Sequence, residues 1–154
     1  MNVNDTISKI RSSSRELVRQ LGLLENRFSS IGSVSQCHAI VELNLQGKLN
    51  LTVLTAALNL EKSTTSRLVA QLYEDGICDV ECCKNDKRNK LISLTKKGQK
   101  LANQINSHAS NEVEQALNIM TEEERNIVFK GLSIYAKALK DSKTQNDPQM
   151  EQTK

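Results

Sequence analysis

Tryptophan is absent from this chain of 154 residues, and phenylalanine and tyrosine bring the aromatic content to only 3%. Large sheets are usually built on aromatic and β-branched residues, whereas leucine and alanine pack well on helices. The composition therefore predicts a mainly α-helical protein. With 38% hydrophobic and 25% charged residues, the chain is of ordinary globular composition and is long enough to bury one sizeable core.

Long hydrophobic runs are also missing. No stretch approaches the roughly 18 apolar residues that a membrane-spanning helix requires, and residues 1–14 lack the apolar centre of a signal peptide. We therefore expect a cytoplasmic protein that has no membrane partner. Because disulfides seldom persist in the cytosol, the four cysteines are expected to be reduced thiols.

Enzyme and metal-site motifs are absent from the sequence as well. There is no glycine-rich phosphate loop, no pair of acids in a plausible cleft, and no nucleophile with an obvious histidine partner. No Cys-x-x-Cys pair is present, and the adjacent Cys82 and Cys83 are awkward zinc ligands. His38 and His108 are better explained as packing or solvated residues than as ligands. We predict that the protein is not an enzyme and has no catalytic residues, metal or cofactor.

Positive charge is concentrated in one segment. The formal net charge is only +3, but seven basic residues and a single acid lie between Lys84 and Lys100. A basic segment of this kind is the electrostatic signature of a nucleic-acid contact, whereas the mild total charge is not.

A seam of apolar residues predicts one long helix near the N-terminus, ended by Gly32. The members step by three and four residues, with Ser14 filling one gap: Ile7, Ile10, Leu17, Leu21, Leu24 and Phe28. One helix cannot bury such a seam alone. Packing inside the monomer is one alternative, and pairing with a second chain is the interpretation that we favour.

The next segments predict a helix-turn-helix unit. Ser35 can cap a helix over 36–45, which Gly47 ends, and residues 49–51 are at most an edge strand. Thr52 then starts a third helix. Asn59 follows at a turn position that needs a left-handed backbone, and Ser63 caps a fourth helix that runs to about Glu74. Two helices joined by a turn of about four residues are typical of DNA-binding proteins.

Two strands with a basic connection follow the fourth helix. Gly76 ends that helix, residues 77–83 alternate well enough for a strand, and residues 91–94 form a second one. The polar, cationic segment 84–90 between them is typical of a hairpin tip. This arrangement directly after a helix-turn-helix predicts a wing.

Two helices are predicted in the last third of the chain. Thr95 can cap a fifth helix, and Thr121 with Glu124 forms a capping box that starts a sixth helix at residue 122. We expect residues 1–142 to form a single domain, and residues 143–154, which are polar, to be a disordered tail.

This order of elements resembles the multiple-antibiotic-resistance regulator (MarR) family over about residues 5–140. The resemblance is carried by Leu58-Asn59-Leu60-Glu61-Lys62-Ser63-Thr64-Thr65-Ser66-Arg67-Leu68-Val69, by Asp86-Lys87-Arg88 for the family's Asp-x-Arg, and by Leu94-Thr95-Lys96-Lys97-Gly98. The segment Ser35-Gln36-Cys37-His38-Ala39 is further similar to the regulator half of members that are fused to an acetyltransferase domain.

The resemblance implies a transcriptional repressor that binds double-stranded DNA as a homodimer. Its dimerisation helices would lie within 5–33 and 100–140, and its winged helix-turn-helix within 35–95. A two-fold dimer would read a pseudo-palindrome with half-sites about 34–36 Å apart. A small-molecule effector is also implied. The dimerisation residues are expected to be Ile7, Ile10, Leu17, Leu21, Leu132, Tyr135 and Leu139.

Helical periodicity on the fourth helix separates core residues from candidate DNA contacts. Leu68, Val69 and Leu72 face the core, with Thr65 on or near that face. The residues left to reach DNA are Ser63, Thr64, Ser66, Arg67 and Gln71. The hydroxyl groups could instead serve only as caps, and for Ser63 capping is the favoured interpretation.

The wing supplies a second set of candidate contacts, namely Lys84, Asp86, Lys87, Arg88 and Lys90. Arg88 resembles the family's minor-groove arginine, and Asp86 resembles the neighbour that shapes the tip. The alternative is a hairpin whose charges are merely solvated. Lys96, Lys97 and Lys100 are better explained as a solvated helix face.

The cysteines leave two interpretations open. Cys78, Cys82 and Cys83 lie on the predicted wing strand, and Cys37 on the second helix, where all four could be small apolar fillers. The alternative is a thiol switch at Cys78, Cys82 and Cys83, since nearby cations could lower a thiol pKa and oxidation could move the wing. For the whole protein, the second candidate function is a winged-helix adaptor that binds a protein partner and does not read DNA.

Overall fold

The computed structural model describes residues 2–22, 32–83 and 86–146. The chain forms two units, residues 1–108 and residues 109–154. The described helices are α1 (Val3–Gln20), α2 (Val34–Gln46), α3 (Leu51–Leu58), α4 (Lys62–Glu74), α5 (Lys96–Asn118) and α6 (Glu122–Asn146). The strands are β1 (Leu49–Asn50), β2 (Cys78–Cys83) and β3 (Asp86–Leu94). Helix α5 begins in the first unit and ends in the second.

The core of the first unit is enclosed by a small antiparallel sheet, by the helices α2, α3 and α4, and by the first part of α5, which contributes Ala102 and Ile105. The strand order is β1-β3-β2, so β3 is central, and its Ile92 lies opposite both Leu49 and Val80. The largest side chains that are fully buried in this core include Ile40, Leu43, Leu54, Leu72 and Ile92. The prediction of a mainly α winged helix with a small wing is confirmed.

The turn between α3 and α4 has the predicted geometry. Asn59 adopts a left-handed backbone with φ 52° and ψ 43°, which asparagine tolerates better than most residues. Gly76 likewise follows α4 with φ 67°. The chain can therefore reverse direction at both ends of α4.

Three predicted helix starts are wrong by one or two residues. The cap of α2 is Ser33, not Ser35, because Ser33 and Gln36 form a reciprocal capping box. Helix α3 starts at Leu51, not Thr52, because the Asn50 side chain caps it. Helix α4 starts at Lys62, so Ser63 is not its cap.

Three predicted lengths are also corrected. Helix α1 ends at Gln20, where Gly22 adopts a left-handed φ of 65°, and Leu24 and Phe28 lie outside the described residues. Strand β3 begins at Asp86, so residues 86–90 belong to a strand and not to the tip. Helix α6 extends to Asn146, beyond the predicted start of a tail; residues 147–154 lie outside the described part.

The second unit contains the predicted capping box of α6. The Thr121 hydroxyl accepts from the Glu124 main-chain N–H, and the Glu124 carboxylate accepts from Thr121 N–H at 2.8 Å. The hydrogen bonds that the Glu124 carboxylate accepts from the main-chain N–H and the hydroxyl of Thr121 lower its pKa. None of the helices in the described ranges combines the length and the apolar character that a membrane crossing requires.

Candidate DNA-binding surface

Helix α4 has one buried face and one exposed face, as predicted. Thr65, Leu68, Val69 and Leu72 are buried, and the Thr65 hydroxyl donates to the Glu61 carbonyl oxygen at 3.1 Å. The five candidate contacts are all exposed: Ser63, Thr64, Ser66, Arg67 and Gln71. The predicted faces are therefore confirmed, while contact of the five residues with DNA stays a prediction.

The start of α4 leaves the Ser63 side chain available for another role. Glu61 is the N-cap residue, and its side chain makes no capping hydrogen bond. Ser63 lies inside the first turn, and Arg67 Nε donates to its main-chain carbonyl oxygen at 3.4 Å. A helix N-terminus without a side-chain cap presents N–H groups and a partial positive charge, which favour an anion such as phosphate.

The structure describes the backbone of the two wing strands, and it describes side chains only up to Cys82 on β2 and from Lys90 on β3. Cys82 lies opposite Lys90 in the β2–β3 pairing, and both residues are exposed. The pairing shifts between Cys82 and Cys83, which lies opposite Asp86. Asp86, Lys87 and Arg88 lie on β3, but their side chains are outside the described part of the structure, as is the whole of Lys84. The roles predicted for these four residues stay predictions.

A groove of about 480 Å³ separates α4 from the sheet. Val69, Val80 and Ile92 contribute apolar walls, and Lys62 and Lys90 contribute the charged groups. The remaining lining residues are Leu51, Thr52, Ser66, Ala70, Tyr73 and Cys82. Among the lining residues that the structure describes, the charged ones are Lys62 and Lys90, so the groove favours an anion beside Ser66 on the exposed face of α4.

Sequence reasoning missed Lys62 as a member of this surface. The prediction started α4 at Ser63, which placed Lys62 in the preceding turn. No side-chain cap marks the correct start, since Glu61 makes no capping hydrogen bond.

The end of α4 is held by the first turn of α5. The Thr95 hydroxyl donates to the carbonyl oxygens of Gly76 and Ile77 at 2.8 and 3.1 Å, and it also accepts from Gly98 N–H at 3.1 Å. The bond from Gly98 N–H confirms Thr95 as the predicted cap of α5. Lys97 Nζ donates to the Asp75 carbonyl oxygen at 2.7 Å. Three successive carbonyl groups after α4 are thus bound by Thr95 and Lys97.

Gly98 permits this close approach, and Gly98→Ala tests it. A Cβ atom at Gly98 would lie 2.1 Å from the main-chain oxygen of Ile77, a group that cannot rotate away. Alanine gains about 1 kcal/mol of helix propensity over glycine. We expect the clash to outweigh this gain, so that the free energy of unfolding falls by about 2 kcal/mol. Thermal and denaturant unfolding measure the change.

Gly131→Ala is the matched control for that prediction. Gly131 also lies in a helix, but a Cβ there would meet nothing within 4 Å. Helix propensity should then dominate and raise stability by up to about 1 kcal/mol. Equal effects of the two substitutions would show that the approach of α5 to Ile77 is not tight.

The cysteines differ in how far their thiols are buried. Cys78 is only 1% exposed, its thiol donates to the Val69 carbonyl oxygen, and burial together with the nearby Asp79 raises its pKa to about 11. Burial also raises the pKa of Cys37. Cys82 is exposed, and Cys83 has a side chain outside the described residues. The opposite environments of Cys78 and Cys82 make Cys82 the accessible thiol of the pair.

Alkylation should reveal this difference directly. With a pKa of about 11, about 1% of Cys78 is thiolate even at pH 9. We expect iodoacetamide to label Cys82 at least about tenfold faster than Cys78 in the folded protein. Peptide mass spectrometry gives both rates, and labelling of the unfolded protein is the control, since there the two thiols should react alike. Similar rates in the folded state would contradict the burial of Cys78.

The predicted dimerisation residues are exposed apolar side chains within their own units. On α1 and its C-cap these are Ile7, Ile10, Leu17 and Leu21, and on α6 they are Leu132, Tyr135 and Leu139. Between 39% and 50% of each is accessible in the isolated chain. Apolar faces of this extent on two helices are typical of surfaces that a partner covers.

Neither histidine is part of the surface described above. His38 and His108 are both exposed. Across the described part of the chain, no three residues of the types His, Cys, Asp and Glu come together as a metal site would require. The absence of a metal or cofactor stays a prediction.

The helix-turn-helix α3–α4, followed by the β2–β3 hairpin, defines a winged-helix fold. Residues 33–90 match the model of the MarR family. Members of this family are DNA-binding transcription regulators and not enzymes, which agrees with the prediction that the chain is not an enzyme.

Similar proteins support the assignment of the fold. The chain is 24% identical over 111 residues to the uncharacterized HTH-type transcriptional regulator YfiV of Bacillus subtilis, covering 72% of this chain and 69% of that protein. It resembles Sco3205 of Streptomyces coelicolor, a MarR family regulator solved with DNA, with TM-score 0.75, 21% identity and 90% of each chain covered. It also resembles BpsR of Bordetella bronchiseptica, with TM-score 0.71 and 18% identity, covering 84% and 98% of the two chains.

Proposed function

We propose that this protein is a sequence-specific DNA-binding regulator of transcription that acts as a homodimer. The observation that carries the proposal is the division of α4, which buries Leu68, Val69 and Leu72 and leaves a row of polar side chains exposed beside a basic wing. A helix of this kind can enter the major groove while its apolar face stays in the core.

Each of the five candidate side chains on α4 suits a particular contact. Arg67 can donate two hydrogen bonds to guanine O6 and N7, and Gln71 can pair with adenine N6 and N7. Ser63, Thr64 and Ser66 are short donors for phosphate groups or nearby base edges. Lys62 and Lys90 lie in the positive groove beside them and add attraction to phosphate.

The wing would contact the adjacent minor groove. Arg88 is the proposed minor-groove residue, with Asp86 shaping the tip and Lys84 and Lys87 facing phosphates. A narrow minor groove concentrates negative potential, so an inserted guanidinium group would recognise groove shape more than base identity.

The finer features of regulation are proposals as well. We propose a repressor that binds pseudo-palindromic operators and is released by a small molecule or by oxidation of a thiol. The DNA binding of BpsR is regulated by 6-hydroxynicotinic acid, which supports the general idea of an effector but does not identify one. Oxidation would act at Cys82, since Cys78 is buried. The similarity of residues 35–39 to regulators fused with an acetyltransferase stays a prediction.

Selection of bound duplexes from a random pool at low ionic strength tests the proposed function. We expect enrichment of pseudo-palindromes whose half-sites lie about one helical turn apart, and an affinity that falls linearly on logarithmic axes as salt rises. If no duplex is enriched and binding shows no dependence on salt, the protein does not read DNA. The adaptor function would then be the better explanation.

A further inference from the structure

Lys97 lies in the first turn of α5, yet its side chain binds the end of α4. The hydrogen bond of 2.7 Å joins Lys97 Nζ to the carbonyl oxygen of Asp75, which is the C-cap residue of α4. The last carbonyl groups of a helix lack partners within the helix, and a cation there also interacts favourably with the helix dipole. Lys97 therefore secures the C-terminal end of α4 from another helix.

A second hydrogen bond continues from Asp75 to the exposed face of α4. Gln71 Nε2 donates to Asp75 Oδ1 at 3.1 Å. Asp75 is thus held through its main chain by Lys97 and holds Gln71 through its carboxylate. A glutamine that reads adenine uses both atoms of its amide, so fixing its orientation before the base arrives lowers the entropy cost of the contact.

The backbone from which Lys97 extends is itself fixed. Thr95 binds the carbonyl oxygens of Gly76 and Ile77, and Gly98 packs against Ile77 without a side chain between them. The Lys97–Asp75–Gln71 chain therefore starts from a part of α5 that is already fixed against the turn after α4.

We propose that Lys97 is a positioning residue for sequence readout, which orients the Gln71 amide through Asp75 and does not contact a DNA phosphate. This proposal rests on the proposed function, because it requires α4 to read bases. On this proposal, Lys97 does not belong to a solvated lysine face, which was the interpretation given above for Lys96, Lys97 and Lys100.

A double-mutant cycle on the selected duplex tests the proposal. Gln71→Ala should weaken binding about tenfold per half-site, the loss expected for one base contact. Lys97→Met should weaken it about fivefold, as expected when one supporting hydrogen bond is removed. If Lys97 acts through Gln71, the combined variant should be no weaker than Gln71→Ala alone.

The salt dependence separates positioning from phosphate contact. Lys97→Met should leave the slope of log affinity against log salt unchanged, and Lys97→Arg, which keeps a cation near Asp75, should recover most of the affinity. Additive losses in the cycle, or a slope reduced by about one per protomer, would identify a phosphate contact and overturn the proposal. Lys96→Met removes the same charge from the adjacent exposed residue and should show no coupling to Gln71→Ala.

The free protein gives a second result that does not depend on DNA. The side-chain amide resonances of Gln71 should shift in Lys97→Met in the same direction as in Asp75→Ala, and should stay in place in Lys96→Met. Unchanged Gln71 resonances in Lys97→Met would contradict the proposal even if the variant bound DNA poorly. Failure of the wild-type protein to bind any duplex would instead overturn the proposed function, and this measurement would still decide whether Lys97 orients Gln71.

Discussion

Arg67→Ala should reduce affinity for the selected duplex by about 2 kcal/mol per half-site, which is about 30-fold for each protomer. The side chain is exposed and makes one long hydrogen bond, to the Ser63 carbonyl oxygen at 3.4 Å. It can therefore leave that position to form a bidentate contact with guanine at little cost to the free protein. Electrophoretic or anisotropy titrations measure the loss of affinity, and the free energy of unfolding should remain that of the wild-type protein.

Arg67→Lys distinguishes the shape of the guanidinium group from its charge. Lysine keeps the charge but cannot form two parallel hydrogen bonds with one base. We expect the lysine variant to keep the wild-type salt dependence while losing preference for guanine at one position of each half-site. Arg15→Ala, at an exposed arginine of α1, is the control for loss of charge alone. A uniform loss across all duplexes in Arg67→Ala would show that Arg67 contacts phosphate and not a base.

The elements that could be predicted from the sequence are those that local rules determine. Periodicity gave the buried and exposed faces of α4, because Leu68, Val69 and Leu72 repeat at helical spacing around Thr65. The left-handed turn at Asn59 and the capping box of Thr121 and Glu124 follow from side chains that bond their own backbone. Such features need no information about the rest of the fold.

The errors at helix starts arise where two local rules compete. Ser33 and Ser35 are both good N-caps, and the deciding signal was Gln36, which stands three residues after Ser33 as a capping box requires. At α4 the N-cap is Glu61, a residue without a strong preference for that position, so the packing of the helix and not the cap determines where it begins.

Two features depended on tertiary pairing and were beyond local reasoning. Residues 86–90 are polar and resemble a loop, but pairing with β2 makes them a strand, since Cys82 lies opposite Lys90 and Cys83 opposite Asp86. The hydrogen bond of Lys97 to Asp75 spans 22 residues, and no local pattern distinguishes Lys97 from its exposed neighbour Lys96.

Leu132→Glu should convert the proposed homodimer into a monomer and weaken binding to a full palindrome by about 100-fold or more. Leu132 is 50% exposed on α6, and the helical repeat places it on one face with Tyr135 and Leu139. A carboxylate in the middle of an apolar interface would lose its hydration without gaining a partner. Light scattering gives the mass, and titration of a full palindrome gives the affinity.

Ile134→Glu is the matched control, because Ile134 is 69% exposed on the same helix but lies about 100° or more around it from the face of Leu132. We expect this variant to remain dimeric and to bind the palindrome as wild type does. A duplex with one half-site supplies the internal control, since one protomer reads it alone and Leu132→Glu should bind it normally. Avidity is lost only when the winged helices of the two protomers are separated. If Leu132→Glu stays dimeric, or loses as much affinity for the single half-site as for the palindrome, α6 is not part of the dimer interface.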